Sequence, residues 1–198
     1  QDLGVGFLST PFDAESLRFL VHDLGLNKIK IGSGDVTNLP LVMNVGALEC
    51  DLVLSTGMST MEEIHEAICA YLFGLLYPAR RPESLADLLN SVDLKASREV
   101  LRSKLVLLHC TSQYPTPLED VNLLSMPALS AGTGLPVGFS DHSKGVEAAL
   151  AAAALGAVMI EKHLTLNTEM QGPDHSASLD PVEFQTMVDG IRMVEKAL

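Results

Sequence analysis

The chain has 198 residues, 47% of them hydrophobic and 19% charged, a balance that suits one folded domain with a sizeable core and excludes a disordered or membrane-embedded chain. Thirteen basic residues against 25 acidic ones give a formal net charge of −12, which argues against a general nucleic-acid or anionic-membrane surface while leaving room for a local cationic pocket. The cysteines Cys50, Cys69 and Cys110 are odd in number and form no CxxC pair, so no disulfide framework is expected and a reducing cytoplasm is the expected location.

No secretory or transit segment is recognisable. The longest apolar-looking stretch, 146–160, carries Glu147 and Gly156 and falls short of the roughly 18 residues that suggest a membrane span. The chain starts on Gln1, a few residues before an apolar run, and reads as a piece of something longer.

Apolar runs alternate with helical spacing along the whole chain. Residues 5–9 predict a strand and 13–24 a helix, 28–31 a strand and 38–48 a helix, 52–55 a strand and 61–76 a helix. The order repeats with strands at 105–110, 136–140 and 158–163, followed by helices at 119–129, 145–155 and 181–198. Two helix starts carry a side-chain cap with Glu at the third position, Ser59-Thr60-Met61-Glu62 and Asp180-Pro181-Val182-Glu183, the second with Pro in its first position. The polar, proline-broken stretch 77–104 lengthens one crossover and predicts a partly helical surface excursion.

Strand-then-helix repeats imply parallel strands with helical crossovers. An open doubly wound sheet concentrates its ligand residues at a switch point, whereas a closed barrel gathers every strand end around one mouth. Polar groups end nearly every predicted strand here: Thr10, Ser33, Ser55, Ser112, Ser140 with His142, and His163. That pattern favours a TIM-type (β/α)8 barrel over residues 1–198. Such a barrel typically takes about 250 residues, so six units imply two missing strands, placed at the N-terminus.

Period two along the fifth predicted strand puts Gly138, Ser140 and His142 on one face, and along the sixth it does the same for Met159, Glu161 and His163. Two imidazoles on neighbouring strands make half of a divalent-metal site, completed by water and substrate oxygen; each could equally be a hydrogen-bonded histidine at a strand end. Lys30, inside "IKIGSG", would need an anion if it pointed inward, or a route for its stem to water. The Gly32-Ser33-Gly34 turn, Ser55-Thr56-Gly57 and Thr10 offer N–H and hydroxyl donors for phosphate or carboxylate, although such residues also serve as turn formers and caps. "GFSDH" lacks the second glycine of a nucleophile elbow. His109 and Cys110, as adjacent strand residues, face opposite ways, so Cys110 reads as core and His22 and His65 as surface.

The segments "FLSTPFD", "KIGSGDVTNLPL", "LSTGMST", "LHCTSQYPTPLEDVNL", "GFSDHS", "IEKHLTL" and "GPDHSASLDP", in this order, closely resemble the sialic acid synthase family. Its members condense phosphoenolpyruvate with an N-acetylated amino sugar to form nonulosonic acids. The resemblance covers nearly the whole chain except 77–104, which is longer than the family's usual connection. It implies a TIM-type barrel represented here by its third to eighth strands, without the first two, which would bring a glutamate and another lysine, and without the C-terminal antifreeze-like domain. It also implies a homodimer.

By the same resemblance His142 and His163 hold a divalent ion, Mn²⁺ in the first place and Mg²⁺ or Co²⁺ as alternatives. Thr10, Lys30, Ser33, Ser55, Ser112 and Ser140 contact phosphoenolpyruvate, and Asp35, Tyr114 and Asp174 line the amino-sugar side. Some members have asparagine where Ser112 stands. Glu161 is a candidate proton acceptor or a partner of the metal ligands, or else the ion-pair partner of Lys30 or another cation. His175 could serve catalysis or pack its loop. The expected function is nonulosonic acid synthesis from N-acetylmannosamine or a diacetamido hexose. The alternatives are another phosphoenolpyruvate-dependent sugar aldol synthase, for which Arg80-Arg81 is the only tight arginine pair, and a catalytically inactive carbohydrate-binding barrel.

Overall fold

The computed structural model describes residues 4–198, and the chain divides into two compact units, the first running to Val106 and the second starting at Leu107. The first unit opens with α1 (Ala14–Arg18), whose first N–H groups are capped by the Asp13 carboxylate. The helix predicted over 13–24 continues beyond Arg18 as a single π-helical turn, Phe19–Asp23, and Gly25, at φ +68°, ends it. Strands β1 (Lys28–Ile31) and β2 (Asp51–Ser55) pair in parallel, with Lys28 opposite Asp51 and Ile31 opposite Leu54. Ile29 and Ile31 are fully buried, whereas Lys28 is exposed and Lys30 half-buried on the other face.

Parallel pairing demands a crossover, supplied here by α2 (Leu39–Ala47), with Asn38 as its cap. After β2 comes α3 (Met61–Leu76), matching its predicted span. Its cap is Thr60, one residue later than the sequence suggests, because Glu63 rather than Glu62 reaches back: Thr60 N–H donates to the Glu63 carboxylate at 2.7 Å, and Glu63 N–H donates to Thr60 Oγ1 at 3.2 Å. Helices α2 and α3 approach backbone to backbone through two glycines. A methyl group on Gly46 would overlap the Tyr71 carbonyl oxygen, and one on Gly74 would overlap that of Met43.

The excursion 77–104 contains α4 (Leu85–Asn90) and α5 (Arg98–Lys104). Arg80 fastens it to α3: the guanidinium lies 5.1 Å from the Phe73 ring centroid and 5.4 Å from that of Tyr77, and it bonds the Asp87 carboxylate and Ser91 Oγ. Arg80→Ala is therefore expected to speed hydrogen exchange over 84–91 roughly fivefold, the size of a weak cation–π contact, while leaving exchange in β1 and β2 unchanged. Equal acceleration in both places would contradict this.

Residues 5–9 do not form the predicted strand. Val5 and Phe7 are 72% and 68% exposed, and the run touches β1 at its end, where Lys30 N–H donates to the Ser9 carbonyl at 3.2 Å. Apolar composition cannot substitute for a ladder of paired backbone groups.

The second unit is built on β3 (Leu105–His109, whose first two residues close the first unit), β4 (Val137–Asp141) and β5 (Ile160–Lys162). They pair in this order, all parallel: Leu107 faces Val137, and Ser140 faces Glu161. The helix predicted at 119–129 is replaced by a 3-10 turn, Leu118–Asp120, and α6 (Ser125–Thr133). Asn122 between them is left-handed at φ +48°, a conformation no right-handed helix can contain. Then α7 (Glu147–Ala154) links β4 to β5, and α8 (Pro181–Ala197) starts at the predicted Asp180 and Glu183 capping box. Ala149, Leu179 and Met187 form a core with Ile160, Phe184 and Ile191 packed on it.

Within each unit the architecture is the expected α/β class, every described strand pair being parallel. Cys110 is buried as expected, while His22 and His65 are exposed. Among the described residues, no helix is long and apolar enough to cross a membrane.

Candidate active site

In the first unit the polar groups gather at the C-terminal ends of β1 and β2. Lys30 stands opposite Val53, and Ser55, two residues on, shares their face. Ser55 Oγ is buried and has no hydrogen-bond partner among the described residues, an arrangement that costs about 1–3 kcal/mol unless something accepts or donates there. The turns beyond the two strands are tied together, since Gly57 N–H donates to Ser33 Oγ at 3.0 Å. Asp35 accepts from Asn38 Nδ2 at 3.2 Å, so it also braces the start of α2. Thr10 lines an open cleft of about 450 Å³ with Pro11, Phe12 and Phe19.

In the second unit Gly138 allows β4 to nestle between its neighbours: a Cβ there would lie 2.5 Å from the Met159 carbonyl and 2.7 Å from the Leu108 side chain. The face shared by Ser140 and Glu161 carries a continuous set of contacts. Ser140 Oγ donates to Glu161 Oε1 at 2.7 Å and lies 3.2 Å from His142 Nε2. Tyr114 Oη is 3.1 Å from the same nitrogen. The Tyr114 and His163 ring centroids are 4.1 and 5.6 Å from that of His142.

Proton positions follow from what each partner can do. His142 Nδ1 lies 2.8 Å from the Thr111 carbonyl, which only accepts, so Nδ1 carries the proton and the neutral ring presents its lone pair at Nε2. Ser140 gives its one proton to Glu161, which leaves the Tyr114 O–H as donor to Nε2. Burial above all, with the neighbouring acidic groups adding to it, pushes the Tyr114 phenol above its usual pKa, which keeps that donor protonated at neutral pH.

The donor set fits a divalent ion. An imidazole whose other nitrogen donates to a backbone carbonyl is the usual form of a metal-binding histidine, and a second imidazole stands beside it. Among the described residues no group of three or more His, Cys, Asp or Glu side chains is arranged to hold a metal, so water or substrate oxygen would complete the shell.

The remaining expected residues are more loosely placed. Asp174 Oδ2 is 3.8 Å from His163 Nδ1, too far for a hydrogen bond, and is half-exposed. Ser112 is exposed in the loop after β3. His175 Nδ1 is 2.7 Å from Thr165 Oγ1, and His109 bonds the Val121 carbonyl at 2.8 Å while stacking on Phe139. Sequence reasoning passed over Asp141, Ser143 and Lys162, which lie between or beside the site residues. Their signal was present: an acid and a base alternate with the site residues on two adjacent strands.

The pattern that defines the NeuB family matches residues 1–198. N,N'-diacetyllegionaminic acid synthase of Campylobacter jejuni is 41% identical over 194 residues, 98% of this chain and 51% of that protein. Pseudaminic acid synthase of Helicobacter pylori is 34% identical over 198 residues, all of this chain and 50% of that protein. Among solved structures, the N-acetylneuraminic acid synthetase of Leptospira borgpetersenii, crystallised with citrate, superimposes with a TM-score of 0.77 at 31% identity, over 95% of this chain and 56% of that one. These define an α/β class of nonulosonic acid synthases and their relatives. The chain belongs to the NeuB family. It spans about half the length of the curated relatives it matches.

Proposed function

We propose that this chain is part of an enzyme that condenses phosphoenolpyruvate with an N-acetylated amino sugar, forming a nonulosonic acid and releasing phosphate. The observation that carries this reading is the cluster of Tyr114, Ser140, His142, Glu161 and His163, with the His142 lone pair turned towards it. The fold of the parent is read as a TIM-type barrel, to which this chain contributes the strands β1 to β5. The 41% identity to a diacetyllegionaminic acid synthase favours a diacetamido hexose over N-acetylmannosamine.

In this reading Lys30, the Ser33 and Ser55 turns and Thr10 of the first unit offer donors to the phosphate and carboxylate oxygens of phosphoenolpyruvate, and Ser112 and Ser140 are the corresponding donors of the second unit. Preset donors of this kind supply orientation and charge stabilisation without reorganisation at the moment of reaction. Asp35, Tyr114 and Asp174 orient the sugar. Synthases of this family are generally metal-dependent; His142 and His163 would hold Mn²⁺ or a similar ion, which when bound supplies Lewis-acid polarisation of the sugar aldehyde. C3 of phosphoenolpyruvate attacks the aldehyde carbon, water adds to the electron-poor C2, and the C2–O bond to phosphate then breaks. Glu161, hydrogen-bonded to Ser140, is positioned as proton acceptor for the added water. A homodimeric cytoplasmic parent completes the reading.

The test is phosphate release by the full-length protein with phosphoenolpyruvate, Mn²⁺ and either a 2,4-diacetamido hexose or N-acetylmannosamine. Sugar-dependent release, faster with the diacetamido sugar, is expected. Release only with phosphorylated sugars that carry no acetamido group would point to another aldol synthase, and Mn²⁺ and phosphoenolpyruvate binding without turnover to an inactive barrel.

A further inference from the structure

Strands β4 and β5 carry an ion pair that the condensation does not use. Lys162 Nζ lies 2.9 Å from Asp141 Oδ2, and both side chains are wholly inaccessible to solvent. The parallel register sets Asp141 directly opposite Lys162, one residue beyond the Ser140 and Glu161 pair, so the two pairs point to opposite faces of the strands. The other oxygen of Asp141 accepts from Ser143 N–H at 2.8 Å and from Ser143 Oγ at 2.7 Å. The Lys162 ammonium also donates to the Ser143 carbonyl. Ser143 is itself fully buried.

Stability is a poor reason for such a pair. Taking two charges out of water offsets most of their attraction, and apolar replacements of similar shape are often as stable or more so. Its geometry is more informative. Asp141 and Ser143 are the residues on either side of His142, and Lys162 directly precedes His163. The pair thus holds the backbone before and after one imidazole, and binds it to the residue that presents the other.

We propose that Asp141 and Lys162 are positioning residues, a buried brace that fixes His142 and His163 at the separation needed to share one ion. This rests on the reading of those histidines as the metal pair. Partners one bond removed from metal ligands characteristically alter metal affinity or activity by about 10–100-fold.

The test is the Asp141→Asn/Lys162→Met double variant of the full-length protein, which removes both charges together, keeps an oxygen acceptor for Ser143 and leaves no unpaired buried ion. Mn²⁺ affinity, read from the electron paramagnetic resonance signal of free Mn²⁺, is expected to weaken about 10–100-fold, with the melting temperature of the metal-free protein moved by no more than about 4 °C. A fall in kcat of similar size should leave the KM for phosphoenolpyruvate little changed. Unaltered affinity and kcat in the folded double variant would overturn the proposal while leaving the metal reading intact. A wild-type protein that binds no Mn²⁺ would overturn the metal reading, and this one with it. If the double variant does not fold, Asp141→Asn/Lys162→Leu, which likewise leaves no unpaired buried charge, is put through the same titration. A weakened affinity supports the brace, and wild-type affinity rejects it.

Discussion

Gly74→Ala is expected to destabilise the protein by at least about 3 kcal/mol, the upper end of the usual range for overpacking, and to lower its melting temperature by roughly 6–12 °C. Two effects oppose each other at this position. Alanine is the better helix former by about 1 kcal/mol, so a glycine deep in α3 is a local liability. The added methyl, however, would overlap the carbonyl oxygen of Met43 and lie 2.8 Å from the Ala47 amide. Both belong to the α2 backbone, which cannot turn aside as a side-chain tip can, so the clash outweighs the propensity gain. Gly190→Ala in α8 is the matched control. There the atoms nearest the new methyl all belong to the Leu150 side chain, which can change rotamer, and stability should stay within about 1 kcal/mol. Urea unfolding of both variants decides the matter; a Gly74→Ala protein as stable as wild type would mean that α2 and α3 are not in backbone contact.

His142→Ala in the full-length protein is expected to abolish Mn²⁺ binding and to lower kcat/KM at least about 10³-fold, the loss of several kcal/mol of transition-state charge stabilisation. The ring is anchored at Nδ1 by a backbone carbonyl and directs Nε2 towards Ser140 and Tyr114, with the His163 ring centroid 5.6 Å from its own. Its removal takes away a donor that no rotation of nearby groups replaces. Tyr114→Phe provides the contrast, because it deletes the phenol hydrogen bond to Nε2 and leaves the lone pair in place. Mn²⁺ should still bind that variant. Phosphate-release assays with electron paramagnetic resonance of bound Mn²⁺ read both; retained metal binding in His142→Ala would remove His142 from the metal assignment.

Much of this architecture was legible because the strands are short apolar runs with polar ends and the longer helices carry explicit starts. β1 and α3 fell where hydrophobic spacing put them, and α8 begins at its Asp180 cap. The misses have definite causes. Residues 5–9 have the composition of a strand without the ladder, and the helix expected at 119–129 is broken by the left-handed Asn122, a conformation that nothing in the local hydrophobic pattern announces. At the site, period two grouped Ser140 with His142 and Glu161 with His163, and the register of β4 on β5 brings Ser140 and Glu161 into hydrogen bond. Backbone partners left no such trace: the Thr111 carbonyl that sets the His142 tautomer is invisible as a side-chain pattern. Asp141 and Lys162 were overlooked because attention to one strand face hides its alternates.

The bond from Gly57 N–H to Ser33 Oγ bears on the thermodynamics of binding. Two turns that would otherwise each have to be immobilised by an incoming anion are already fastened to one another. Most of the conformational entropy of ordering them is lost when the chain folds, so little remains to be lost on binding. If the first unit holds the anionic groups as proposed, it should do so with weak dependence on loop motion, and discriminate among anions by the match of oxygen positions to a rim of fixed shape.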